Sequence, residues 1–231
     1  MGDINVIGSF DWDPPLKNSQ QEVQLMIENK WEPGSKDFEA VAGKSILCKS
    51  FLQFLGVILN QKPKSVGRIN VFTHGNSDLI AFKGRLVPRT TMTDVMLELS
   101  QGLDLKALDM QALDLINDTN RWFQVERNPT KYTITDIRSR FTDNAIIFFY
   151  SCHSGLDSQF LQAIANTFQI MVDGFKPAIA YCPKYSGNPP LIDRKHIGIK
   201  DCSVYQTTNF YELAPYAASK NLIISTRPIR R

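Results

Sequence analysis

The stretch Asn144-Ala-Ile-Ile-Phe-Phe-Tyr-Ser-Cys-His-Ser-Gly155 decides how this chain is read. Its apolar, β-branched and aromatic run predicts a buried strand. The strand delivers Cys152 into a small, glycine-ended turn, and a helical pattern follows. A nucleophile would sit at such a place. A second run, Arg68-Ile-Asn-Val-Phe-Thr-His-Gly75, ends in a histidine followed by glycine. Two strand ends therefore present a thiol, Cys152, and an imidazole, His74.

Beyond Gly155, Phe160, Ile164 and Phe168 fall on one helical face with Leu161 beside them, and Asp157 or Ser158 is placed to cap this helix. Residues 177–181 read as another strand, 183–190 as a loop, and 222–225 as a strand closing the sheet. Before the cysteine strand, Thr133-x-x-Asp136 is a capping-box pattern opening a helix that runs to Phe141. Further upstream, 4–7 is an apolar run stopped by Gly8, hence a first strand. Residues 20–29 predict a short helix and 38–41 a second strand. Residues 46–59 predict a helix with Leu47, Phe51, Leu55 and Ile58 on one stripe. After His74, residues 79–82, a Lys83-Gly84 turn and 85–87 carry a hairpin signature. Residues 88–132 read as an irregular helical insertion, with helices around 93–99 and 106–117. Strands alternating with helices, and apolar on both faces, imply an α/β fold. Its mainly parallel central sheet lies between helices on both faces. In such sheets the functional crevice lies at the carboxyl ends of the strands, where His74 and Cys152 fall.

A chain of 231 residues with 43% hydrophobic content supports one domain, taken as 1–231. A net charge of +3 is too small and too dispersed to be a nucleic-acid footprint. The terminal Arg227-Pro-Ile-Arg-Arg231 reads as a solvated tail. No stretch approaches the roughly 18 apolar residues of a membrane span, and Asp3 and Asn5 stand where a leader would be basic and then apolar. A cytoplasmic protein without membrane partners is expected. The four cysteines, at 48, 152, 182 and 202, are too few and too spread for a disulfide scaffold, so reduced thiols are expected. A zinc site would need Cys182, His196, Cys202 and a fourth ligand, without any paired Cys-x-x-Cys spacing. No metal or other cofactor is expected.

An imidazole beside a thiol raises its thiolate fraction and supplies the proton a leaving amine needs. Backbone N–H groups at Gly75 and in the Cys152 turn could approach a carbonyl closely enough to stabilise its oxyanion. The bland reading of Cys152 is a buried cysteine ending a core strand. Its pairing with a strand-ending His-Gly favours catalysis or a degenerate catalytic site. His153, next to the nucleophile, would point away from it on an extended turn and is expected to be exposed or structural. Ser154 lacks the Gly-x-Ser-x-Gly context of a nucleophile elbow. No arginine follows Cys152 to cradle a phosphate.

Phe72-Thr-His-Gly75 followed by a hairpin, and Tyr150-Ser-Cys-His-Ser-Gly155 followed by a helix, resemble the caspase-like cysteine peptidases of clan CD. That group includes caspases, metacaspases, gingipains and the bacterial CHAT-type proteases, and Cys-His-Ser-Gly is most similar to metacaspases. The resemblance covers most of the chain in element order, with close matching confined to these motifs. It implies a caspase-like three-layer sandwich and a cysteine endopeptidase that cuts peptide bonds through a thioacyl intermediate. His74 would be the general acid/base and Cys152 the nucleophile, with the N–H groups of Gly75 and Cys152 as oxyanion hole. The implied partners are a protein or peptide substrate and a regulatory protein. The alternative is a catalytically silent caspase-like interaction module. Tyr150 occupies the position where metacaspases usually carry an acid that recognises a basic P1 side chain. Asp11 and Asp13 fall in a region that helps line the S1 pocket in such folds, and Tyr185 and Ser186 fall where related enzymes bind substrate backbone. The Gln-Ala-Cys-x-Gly form of caspases is absent, and the segment between His74 and Cys152 is longer than theirs.

Overall fold

A computed structural model describes residues 3–8, 45–48, 50–73, 75–82, 107–117, 122–124, 130–181, 184–186, 191–193, 197–200 and 203–229. For 180–181, 184–186 and 191–193 it describes the backbone alone. The centre is a six-stranded sheet. Its members are β1 (Ile4–Ile7), β2 (Ile46–Leu47), β3 (Val66–Phe72), β6 (Phe141–Tyr150), β7 (Met171–Phe175) and β13 (Ile223–Thr226). They lie in the order β13-β7-β6-β3-β1-β2. Every neighbouring pair is parallel except β13 against β7. The chain is thus α/β with a mainly parallel central sheet.

Strand β6 shows why the sheet forms. Ala145, Ile147 and Phe149 pack on one face with Ile69 and Val71 of β3. Phe148 and Tyr150 pack on the other with Phe72. Both alternating sets are apolar, which only a strand covered on both faces requires. The first face is covered by the helices α1 (Phe51–Leu59), α2 (Met110–Asn117), α3 (Ile134–Arg138) and α4 (Ser158–Phe168). The second is covered by α5 (Phe210–Ser219) and by residues of a small sheet ordered β12-β11-β8. That sheet comprises β8 (Ile179–Tyr181), β11 (Ile197–Ile199) and β12 (Tyr205–Thr207). No described helix is long and apolar enough to cross a membrane.

Two termini follow the sequence signals closely. Asp157 caps α4, its carboxylate accepting from Gln159 N–H at 2.7 Å. Asp136 accepts from the Thr133 N–H at 2.7 Å, the reciprocal arm of a capping box, and α3 stops at Arg138, so Phe141 belongs to β6.

Elsewhere tertiary pairing overrides local pattern. Ile46 and Leu47 do not begin the helix; they pair with Val6 and Ile7 as an edge strand, and Ser50 caps α1. The segment 177–181 does not join the central sheet, because β7 takes that place and β8 pairs with β11 instead. Residues 184–186, read as loop, form β9 (Lys184–Ser186), antiparallel to β10 (Leu191–Asp193). Residues 107–109, read as helix, form β5 (Ala107–Asp109), which pairs with β4 (Leu79–Ala81). The described part of the 88–132 insertion therefore holds a strand and a helix, together with an isolated bridge from Phe123 to Tyr132. The predicted helices 20–29 and 93–99 and strands 38–41 and 85–87 lie outside the described residues.

Candidate active site

Strands β3 and β6 are adjacent and parallel, with Phe72 opposite Tyr150. The ladder continues past both ends, Thr73 N–H donating to the Tyr150 carbonyl at 3.4 Å. Gly75 begins a tight hairpin, bridging Ile80 across Asn76 to Leu79, with Asp78 N–H on the Asn76 side chain at 3.0 Å. The Lys83-Gly84 turn and the 85–87 strand expected to pair with 79–82 lie outside the described residues. A Cβ at Gly75 would run into the Ser151 hydroxyl and would stand 2.8 Å from the Leu79 carbonyl, so only glycine allows this approach. The residue after His74 therefore lies against the residue before Cys152. His74 itself, and Asp11 and Asp13, lie outside the described residues.

The turn 151–155 is tied to the segment 175–179 by contacts with four of its five carbonyls. Gly155 N–H donates to Phe175 at 2.8 Å and His153 N–H to Pro177 at 3.1 Å. His153 Nδ1 lies 2.9 Å from the Lys176 carbonyl, and the Cys152 thiol donates to the Ile179 carbonyl at 2.8 Å. The Ser154 hydroxyl is buried. It reaches the Ser151 and Phe149 carbonyls at 3.0 and 3.2 Å and accepts from Phe175 N–H at 3.2 Å. A Cβ at Gly155 would collide with the Gly174 carbonyl. The small residues of Cys-His-Ser-Gly are therefore demanded by close packing of this turn on β7.

No protein-family model, curated protein or solved structure matches this chain.

Cys152 is half-buried, its side chain packed at the margin of the cluster that holds Tyr150, Phe72 and Phe210. The thiol rests on the Ile179 carbonyl. Ser151 Oγ is fully buried beside Gly75 without a hydrogen-bond partner among the described residues.

Tyr150 is 3% exposed, with ring centroids 4.5 Å from Phe72, 4.5 Å from Phe148 and 5.4 Å from Phe210. Burial pushes its phenol above the ordinary range, with Arg68 pulling the other way. The structure places Tyr150 in the core, not on the crevice surface. Tyr185 and Ser186 lie on the β9–β10 ribbon, opposite Ile192 and Leu191.

Burial raises the Asp173 carboxyl, opposed by a hydrogen bond from Ser225 and by Arg68. Asp173 sits opposite Phe148 on one side and Ser225 on the other, two residues before Phe175. Among the described residues no three His, Cys, Asp or Glu side chains gather as a metal site; Cys182, His196 and Cys202 lie outside them. The contribution that sequence reasoning missed is the carbonyl row of 175, 176, 177 and 179. Main-chain acceptors carry no residue-type signal. Only Gly174, the partner of Gly155 in close approach, marks the segment in the sequence.

Proposed function

We propose that this protein is a caspase-like cysteine endopeptidase with Cys152 as nucleophile and His74 as general acid/base. The observation that carries the reading is the parallel pairing of β3 with β6, Phe72 opposite Tyr150. His74 follows Phe72 by the same two residues by which Cys152 follows Tyr150. Contact of Gly75 with Ser151 at the same edge supports it.

In this mechanism a substrate carbonyl displaces the resting contact of Cys152 with Ile179. His74 takes the thiol proton as Sγ bonds to the carbonyl carbon, and the oxyanion is held by the N–H groups of Gly75 and Cys152. His74 then hands the proton to the leaving amine as the C–N bond breaks, leaving a thioacyl enzyme. Water, deprotonated by His74, attacks that thioester, releases the acid and restores the thiol.

A panel of acyloxymethyl-ketone probes with varied P1 residues tests this. Native protein is expected to label at Cys152, and Cys152→Ala to lose labelling and to lower peptide cleavage by about 10³-fold or more. Equal labelling of the alanine variant would overturn the assignment. The Cys152 bond to the Ile179 carbonyl favours a second reading, a catalytically silent module whose thiol is tied down. On that reading no probe labels the native fold, and Cys152 reacts only after denaturation.

A further inference from the structure

His153 is the feature of the turn that the dyad does not use. Its backbone is left-handed, φ 53°, a region that glycine and asparagine enter with least strain. The chain nevertheless carries a large ring there, half-buried, and the ring is engaged: Nδ1 lies 2.9 Å from the Lys176 carbonyl. A carbonyl only accepts, so Nδ1 carries a proton. The same residue donates its backbone N–H to Pro177 at 3.1 Å. His153 therefore grips two successive carbonyls, while Cys152, one residue earlier, sets its thiol on Ile179 two residues further along. The gripped segment is itself anchored. Lys176 donates its N–H to Leu222 and its Nζ to the Asn221 carbonyl, both at 2.9 Å. The turn that carries the thiol is thus referenced, through one imidazole, to the connection between α5 and β13.

We propose that His153 is the positioning residue of Cys152, its ring fixing the left-handed turn so that Sγ stands at the crevice. The idea rests on the peptidase reading above but does not require activity for its test. The ring acts through the geometry of its Nδ1–H bond to the Lys176 carbonyl.

Three proteins decide it: wild type, His153→Gly, which keeps the backbone conformation and deletes the ring, and His153→Asn, which tolerates the same backbone and carries an amide donor. Cys152 alkylation by iodoacetamide is followed by mass spectrometry, with fully buried Cys48 reporting unfolding. In parallel, kcat and KM are measured on the peptide best cleaved by wild type. The glycine variant is expected to alkylate Cys152 at least about fivefold faster with Cys48 unmodified, and to lose about tenfold or more in kcat at little cost in KM. Asparagine is expected to recover most of both. Wild-type rates in the glycine variant would overturn the proposal. So would an asparagine variant as impaired as glycine, or Cys48 alkylation rising in step with Cys152. If wild type cleaves no peptide, the peptidase reading falls, and the alkylation comparison still decides the role of His153.

Discussion

Cys48 and Cys152 carry the same group in opposite surroundings. Cys48 has 0% exposure within the main core, and burial pushes its thiol from about 9 up to about 12. Cys152 ends a strand at a half-buried turn. The Cys48 shift makes a pH prediction whose sign is fixed. Below about pH 9 the thiol is protonated in both folded and unfolded chains. Above it the unfolded chain ionises while the folded one holds its proton until about 12, so the folded state loses stability as pH rises across that window. The stability margin of wild type over Cys48→Ala is expected to shrink by on the order of 2 kcal/mol between about pH 8 and about pH 10.5. Urea denaturation at the two pH values measures it, and a constant margin would show that Cys48 ionises as easily folded as unfolded. At this scale the sequence was legible in residue type. The small residues around Cys152 signalled a tight turn, and the structure supplies the reasons: Ser154 accepts from Phe175 N–H and shares its one proton between the Ser151 and Phe149 carbonyls, and Gly155 lies against Gly174.

Helix α5 covers the second face of the sheet with Phe210, Leu213 and Ala217, all fully buried. Phe210 is fully buried and meets Phe72 and Tyr150 edge-on, with centroids 4.9 and 5.4 Å apart. Pro215 removes one backbone donor inside the helix, so packing of this face must offset that loss. Phe210→Ala is expected to cost about 3 to 5 kcal/mol, read from the urea midpoint, because it opens a cavity between the helix and the sheet. A cost under about 1 kcal/mol would show that α5 can close the gap. Elements with a strong periodic face were legible: β1, the β6 run, α4 with its Asp157 cap, and the Asp136 capping box. Strand β7 was not. Met-Val-Asp-Gly-Phe contains an acid and a glycine that read as breakers, yet Asp173 pairs across to Ser225 and Gly174 makes room for Ser154 and Gly155. Ala107–Asp109 looked helical because alanine and leucine favour helices, and pairing with Leu79–Ala81 overrode that preference.

A substrate pocket in this architecture is a property of the whole molecule, since loops from several strand ends must converge on it. On the peptidase reading, the sequence offers no arginine cluster near His74 and Cys152 to hold an aspartate side chain, and a buried carboxylate needs such a partner. Among otherwise identical peptides with Arg, Lys, Asp or Leu at P1, the basic pair is expected to be cleaved fastest, and Asp11→Asn or Asp13→Asn to reduce that preference. Aspartate as the best P1 would overturn the pocket argument. An arginine preference untouched in both variants would assign the pocket to other residues. The sequence alone determined that strands alternate with helices, that the sheet is apolar on both faces, and that His74-Gly75 and Cys152 end two strand patterns. Those are consequences of burial acting on residues close along the chain, where periodicity records it. Only the tertiary structure decided that β3 and β6 are neighbours in register, that β7 and not β8 extends the sheet, and that the Cys152 turn rests on the carbonyls of 175 to 179. Those choices join residues distant in the chain through main-chain groups that every residue shares, and no residue type announces them.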